Sequence, residues 1–191
     1  MAQSSDAPLA PVAIGHGGTE LEMFLEPTCP YSKRAFEKAP ALLSAVGEDK
    51  LTIVFRFVSQ PWHLFSGIVT RAILAASAAG GTPAALKAMA GVYARREDFE
   101  FEDHSHGPNM DHTPNQILAD IAAITGLDLS AAFRLNSVGN ALRWNTKYHR
   151  QNGVHVSPTF SIDRIIEPNM SSGQTIEEWA ALIAPHIESR R

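Results

Sequence analysis

The chain has 191 residues, of which 45% are hydrophobic and 19% charged, and its formal net charge is −4. These values fit one globular domain with a full hydrophobic core, enlarged by an insertion, and exclude a disordered or fibrous protein. Acidic and basic residues are mixed along the sequence, so no extended basic surface is expected and nucleic acid is excluded as a partner. The apolar runs are too short to span a bilayer, so we expect no membrane partner.

The beginning of the chain carries no folding signal. Residues 1–11 are small, polar and proline-containing, which predicts a flexible tail. The first eighteen residues lack the basic start and the apolar stretch of a secretory signal, which favours a cytoplasmic location, or a periplasmic one if a signal peptide has already been removed. The single cysteine excludes an internal disulfide, so nothing in the fold depends on an oxidising compartment.

Residues 12–63 are predicted to form a βαβ unit. The segment LEMFLE, residues 21–26, alternates largely between apolar and polar side chains and predicts a strand. Proline is favoured at the first helical position, so Pro30 makes Cys29 the N-cap of the helix that follows. We expect that helix to be kinked at Pro40 and to end at Gly47. The apolar run LTIVFRFV, residues 51–58, predicts a strand buried on both faces.

Residues 64–152 are predicted to form an inserted helical subdomain. Its four helices are bounded by glycine, proline or capping residues and cover about residues 66–79, 82–96, 113–126 and 130–151. Gly80 and Gly81 separate the first two helices, and Thr113 and Gln116 have the spacing of a capping box. A break is expected in the last helix near Gly139.

Strands return in residues 153–191. The segments HVSPTFSI and RIIE are separated by Asp163, which predicts an antiparallel hairpin. The segment TIEEWAALIAPHI then predicts a closing helix with Thr175 and Glu178 as its capping box. The predicted order is therefore βαβ, a helical block, then ββα.

Two short motifs flank the helical block: CPYS lies at the first strand-to-helix turn, and VSPT lies just before the third predicted strand. In this order they resemble the thioredoxin fold carrying a helical insertion, as in the DsbA-like family, over residues 20–187. The resemblance implies an α/β thioredoxin-like fold with a central mixed sheet. It also implies an enzyme, a thiol-disulfide oxidoreductase or protein-disulfide isomerase.

The resemblance assigns roles to particular residues. It implies that Cys29 is the nucleophile, that Pro158 is cis, and that the backbone of Ser157 contacts substrate. It also implies that Pro30 and Tyr31 line the substrate site. Ser32 stands where the family usually has its second cysteine, so this single-cysteine motif lacks the thiol needed for net dithiol oxidation.

The chemistry of the site follows from the helix terminus. The unpaired N–H groups of Tyr31 and Ser32 and the helix dipole favour a thiolate at Cys29. Ser32 lies on the same helix face, so its hydroxyl can donate a hydrogen bond to the sulfur but cannot attack a mixed disulfide. Cys29 and Ser32 are therefore the predicted catalytic pair, and release must come from another thiol. A substrate thiol would give isomerisation and glutathione would give reduction; both remain open.

The expected substrate is a disulfide-containing or glutathionylated protein or peptide, which could pair with Ser157 as an added strand. No cofactor is predicted, although glutathione is compatible as a co-substrate. Two other functions stay open: glutathione-linked chemistry of the Kappa-class transferase and isomerase type, and a redox-inactive module that binds peptides beside Pro158. A homodimer is also compatible with the sequence, but no feature identifies its interface.

Other residues are weaker candidates. Glu26 and Lys33 flank the thiol and could exchange protons with it. Trp62 and His63 follow the second strand and could border the site, although core packing is the preferred role for the tryptophan. The segment EDHSHGPNMDH lacks a regular helical spacing of ligands and is predicted to be a polar loop without a metal. Its possible ligands are Asp103, His104, His106, Asp111 and His112.

Overall fold

The computed structural model describes residues 7–189 and contains one mixed β-sheet. The strands are β1 (Val12–Gly15), β2 (Thr19–Leu25), β3 (Leu51–Phe57), β4 (Thr159–Ile162) and β5 (Ile165–Ile166). Their order across the sheet is β1-β3-β2-β4-β5. Strands β2 and β3 are parallel and the other neighbouring pairs are antiparallel. This arrangement is the predicted central mixed sheet.

Five α-helices accompany the sheet in the described residues, and three of them lie between β3 and β4 in the sequence. They are α1 (Pro30–Val46), α2 (Ser66–Ala94), α3 (Pro114–Thr125), α4 (Asn136–Gln151) and α5 (Ile176–Glu188). Helix α1 packs against α5, whereas α2 packs against α3 and α4. Within residues 7–189, none of the helices combines the length and apolar composition needed to cross a bilayer.

Strand β2 is buried on both faces, because alternate side chains of a strand point to opposite sides of the sheet. Leu21, Met23 and Leu25 lie in the main core, which includes residues of α1, α2 and α5. Phe24, on the other face, belongs to a smaller cluster against which Tyr148 of α4 packs. The end of β2, four residues before Cys29, is therefore packed on both faces.

Most local signals in the sequence act as predicted. Both capping boxes, at Thr113 and Thr175, are formed. Gly80 and Gly81 leave the helical conformation and divide α2 into two segments, as predicted. Pro40 lies inside α1, which runs without interruption from Pro30 to Val46.

Two predictions differ from the structure. The tail was expected to extend to residue 11; residues 1–6 lie outside the described residues, but Leu9 packs against the core and residues 12–15 form β1. The predicted break near Gly139 is wrong, because Gly139 lies within α4. The chain instead breaks at Leu135, which is extended (φ −61°, ψ 140°) after a short 3₁₀ turn. A glycine inside a helix costs only about 1 kcal/mol relative to alanine and need not end it.

Candidate active site

Cys29 is the N-cap of α1, directly after the loop that follows β2, as predicted from Pro30. Its backbone is extended (φ −76°, ψ 129°), and its side chain forms no capping hydrogen bond. The expected contact of the sulfur with the first-turn N–H groups is therefore not formed. The thiol instead points to the carbonyl of Ser157, with 3.7 Å between Sγ and the oxygen. Cys29 is 5% exposed, so the side chain that carries the thiol is largely buried.

The loop before β4 lies against the sulfur of Cys29. The Ser157–Pro158 peptide bond is cis, the geometry implied by the resemblance. Gln60, after β3, donates a hydrogen bond from Nε2 to Ser157 Oγ at 3.3 Å. Because β4 pairs with β2, the structure brings Ser157 next to Cys29 although 128 positions separate them.

Ser32 lies on the inner face of α1 and is fully buried. Its Oγ accepts a hydrogen bond from the backbone N–H of Glu26 at 3.1 Å. Among residues 7–189 it forms no hydrogen bond with Cys29 Sγ, contrary to the expected donation to the sulfur. The hydroxyl faces the loop instead, so it fixes the start of the segment that carries Cys29.

Exposed apolar side chains occur in the three segments that meet at Cys29. Tyr31, two positions after Cys29, is 54% exposed, and Val156, next to Ser157, is 63% exposed. Trp62 is 51% exposed, so its preferred role in core packing is wrong; its neighbour His63 is the buried residue. Apolar side chains exposed around a cleft are typical of a surface that contacts a partner.

A buried polar network lies beneath the loop of Cys29, centred on the hydroxyl of Thr28. Oγ1 of Thr28 lies 2.9 Å from Glu26 Oε2, 2.8 Å from His63 Nδ1 and 3.0 Å from Glu100 Oε2. His63 Nδ1 also forms an ion pair with Glu100 Oε2 and lies 3.4 Å from Glu26 Oε2. Two buried carboxylates therefore share one buried imidazole and one hydroxyl.

The charges in this network influence one another. Burial raises the pKa of Glu26 above its ordinary value, and the charge of His63 only partly opposes this. Burial lowers the pKa of His63, but the hydrogen bond with Glu100 and the charge of Glu26 outweigh it, so that the net shift is upward. Burial would raise the pKa of Glu100, but hydrogen bonds with His63 and His104 lower it overall. The geometry therefore favours an imidazolium between two carboxylates.

The phenol of Tyr93 lies at the same place. Its hydroxyl donates a hydrogen bond to the Glu26 carbonyl at 3.2 Å. Burial raises the pKa of Tyr93 well above its ordinary value, and the neighbouring Glu26 and Cys29 act in the same direction.

Of the two charged residues expected to flank the thiol, Glu26 belongs to the buried network. Lys33 forms no ion pair within the described part of the chain.

The histidines of the predicted polar loop do not converge on one another. His104 Nδ1 lies 2.8 Å from Glu100 Oε1, and His106 pairs with Glu102 at the surface.

Neither Glu100 nor Thr28 was among the predicted site residues. A signal for Glu100 was its place between Phe99 and Phe101, both of which are buried. An acidic residue between two core aromatics indicates a buried carboxylate that needs a partner.

One solved structure is similar to this chain in sequence as well as in fold. It is a candidate protein-disulfide isomerase from Pseudomonas syringae, 49% identical, and the match covers 90% of this chain and 97% of that chain with a TM-score of 0.87. No family model and no curated protein matches this chain.

More distant structures share the fold alone. DsbA2 from Pseudomonas aeruginosa is 13% identical, with 94% of this chain and 96% of that chain covered and a TM-score of 0.64. A periplasmic thioredoxin-like protein from Salmonella enterica serovar Typhimurium is 17% identical, with 96% and 92% covered and a TM-score of 0.68. The predicted fold class, a thioredoxin-like α/β fold with a helical insertion, is confirmed.

Proposed function

Because this chain belongs to the DsbA-like family of thioredoxin-fold proteins, we propose that it is a thiol–disulfide exchange enzyme with Cys29 as its only nucleophile. The observation that carries the proposal is the position of Sγ, at the start of α1 and 3.7 Å from the carbonyl that precedes Pro158. The similar Pseudomonas syringae protein is named as a candidate protein-disulfide isomerase, which supports the same class of reaction.

In the first step, the Cys29 thiolate attacks one sulfur of a substrate disulfide. A bond forms between Sγ and that sulfur, the substrate S–S bond breaks, and the second substrate sulfur leaves as a thiolate. The dipole of the 17-residue helix α1 favours negative charge at Cys29 before the attack. The product is a mixed disulfide between enzyme and substrate.

Release requires a second thiolate, because the chain has no other cysteine. That thiolate attacks the substrate sulfur of the mixed disulfide, forms a new S–S bond there and returns Cys29 as a thiolate. If the thiolate belongs to the same substrate, the outcome is isomerisation. If it belongs to glutathione, the substrate leaves as a glutathione mixed disulfide, which a second glutathione can reduce. The enzyme then needs no bound cofactor.

Substrate binding is assigned to the surface around the sulfur. We assign the apolar contacts to Tyr31, Trp62 and Val156, since all three are exposed and belong to the segments of Cys29, Gln60 and Ser157, which contact one another. The backbone at Ser157 and Pro158 is the edge at which an extended peptide would lie, and Pro30 borders the sulfur from the helix side. The expected substrate is an extended, partly apolar segment of a protein or peptide that carries a disulfide.

Ser32 is assigned a positioning role. Its hydroxyl holds the N–H of Glu26, three residues before the nucleophile, and thereby fixes the loop of Cys29. It has no sulfur with which to expel a bound substrate. A cysteine at this position would supply the missing thiol on the same face of the helix.

Trapping of the mixed disulfide tests the proposal. The reduced protein is mixed with a peptide that contains one disulfide, quenched with acid and weighed by mass spectrometry. We expect a covalent adduct on the wild type, no adduct on Cys29→Ser, and release of the adduct when glutathione is added. The Ser32→Cys variant should release substrate without added glutathione.

A matched variant controls for the mere presence of a second thiol. Ser44→Cys places one on the exposed surface of the same helix, 12 residues farther along α1 than Ser32. That distance is about 18 Å along the helix axis, so Ser44→Cys should retain the adduct until glutathione is added. Peptide binding without any adduct would indicate a redox-inactive binding module, whereas exchange with glutathione disulfide alone would indicate glutathione-linked chemistry.

A further inference from the structure

We propose that His63, Glu100 and His104 form a binding site for a divalent transition-metal ion of the zinc class, beside the active-site loop. Each residue offers one ligand atom, and the three atoms lie within 4.8 Å of one another. Two imidazole nitrogens and a carboxylate oxygen are a ligand set that zinc uses in proteins, with an open fourth position for water. Within residues 7–189 this is the one such group of histidine, cysteine and acidic side chains.

The geometry of the three side chains is close to that of a coordination shell. Glu100 faces His63 with Oε2 and His104 with Oε1, in both cases toward Nδ1. The two imidazole rings lie 4.8 Å apart between centroids. Ligands about 2.0–2.1 Å from a tetrahedral zinc ion are about 3.3 Å from one another. Ligand atoms as much as 4.8 Å apart would therefore approach by up to about 1.5 Å, whereas His104 Nδ1 and Glu100 Oε1, which lie 2.8 Å apart, would separate by about 0.5 Å. His63 Nδ1 and Glu100 Oε2, which form an ion pair, would also separate.

The surroundings of the three residues also favour a cation. Glu26 is fully buried, its Oε2 lies 3.4 Å from His63 Nδ1, and its Oε1 has no hydrogen-bond partner. Two buried carboxylates beside one buried imidazole leave negative charge that a divalent ion would balance.

Access to the site and its link to the active site follow from burial. His63 and Glu100 are buried, whereas the side chain of His104 is 45% exposed and opens the site to solvent. The hydroxyl of Thr28 lies 2.8 Å from His63 Nδ1 and 3.0 Å from Glu100 Oε2, one residue before Cys29. Metal binding would therefore displace the hydrogen bonds that hold the loop of the nucleophile.

The three residues come from two separate parts of the sequence, so the segment EDHSHGPNMDH alone does not predict the site. His104 comes from that segment, Glu100 lies two residues before it, and His63 comes from the loop after β3. His63 and Glu100 are therefore 37 positions apart in the sequence, a separation that no regular motif spacing describes.

Zinc titration of the metal-free protein tests the proposal. The full chain is stripped with a chelator and dialysed, and zinc sulfate is added against a chromophoric chelator that competes for the ion. We expect one zinc ion per chain with micromolar or tighter affinity. The exposed His104 can be replaced without loss of core packing, and His104→Ala should weaken binding at least about tenfold, the lower limit even for a residue that only orients a ligand.

Two control variants make the test specific. His106→Ala removes an exposed histidine of the same loop that pairs only with Glu102, and it should bind zinc like the wild type. Cys29→Ser should also retain binding, and the cobalt(II) complex should show no sulfur-to-cobalt charge-transfer band. The proposal is overturned by the absence of stoichiometric binding, by equal affinity of His104→Ala and wild type, or by loss of binding in Cys29→Ser.

Discussion

Replacement of Thr28 by valine tests the buried network beneath the active-site loop. Valine has nearly the shape of threonine, so the change removes the hydroxyl without creating a cavity. That hydroxyl can donate one hydrogen bond, to the carboxylate of Glu26 or of Glu100, and can accept one from the Nδ1–H of His63. Hydrogen bonds to charged groups contribute about 1.5–3 kcal/mol each, and the partners left behind are buried. We therefore expect Thr28→Val to lower the free energy of unfolding by about 3 kcal/mol.

Urea unfolding in the presence of a chelator, followed by circular dichroism, measures this loss. Thr146→Val is the matched control, because its hydroxyl donates only to the Leu142 carbonyl of its own helix, at 3.0 Å. The control should lose about 0.5 kcal/mol or less. A loss at Thr28 below about 1 kcal/mol, or one equal to that of the control, would show that the carboxylates do not depend on the hydroxyl.

Two further predictions concern the scaffold. Gly91 lies where α2 meets α3, and a Cβ added to it would lie 2.2 Å from Ile124 Cγ2. We therefore expect the Gly91→Ala variant to be less stable than the wild type in urea, although alanine has the better helix propensity. An increase in stability would contradict this packing. Burial lowers the pKa of His149 in the folded state, although the Val154 carbonyl opposes the shift. Below about pH 6.5 the unfolded chain therefore binds more protons than the folded protein, so the wild type should lose stability on acidification through that pH. The His149→Gln variant should lose less free energy of unfolding than the wild type, the difference being up to about 1 kcal/mol at pH 5.5. Equal losses in the two proteins would refute this.

The parts of the fold that local chemistry determines could be predicted from the sequence. The capping boxes at Thr113 and Thr175 and the non-helical glycines at 80 and 81 each depend on residues a few positions apart. The hairpin turn is equally local: Asp163 and Arg164 both have positive φ, 50° and 69°, which suits the twist of the strands it joins. Strand β1 escaped prediction because four residues, the last of them a glycine, give too short a pattern.

The site could be predicted only in outline. The motifs that contain Cys29 and Pro158 are contiguous and can be read from the sequence, but the partner of a side chain depends on tertiary packing. Ser32 has the spacing to reach the sulfur, but it lies on the inner face of α1, where its hydroxyl accepts a hydrogen bond from the backbone N–H of Glu26. The burial expected for Trp62 failed for the same reason: hydrophobicity favours a buried tryptophan, but the buried carboxylates require the imidazole of His63 beside them.

The two outer strands of the sheet, β1 and β5, have only four and two residues. An outer strand exposes unpaired backbone groups to which other extended chains can add, and short strands offer few of them. The substrates proposed for this protein, extended segments that carry a disulfide, are chains of this kind. With so little backbone available at either margin of the sheet, such a chain would have few places to add as a strand away from Ser157.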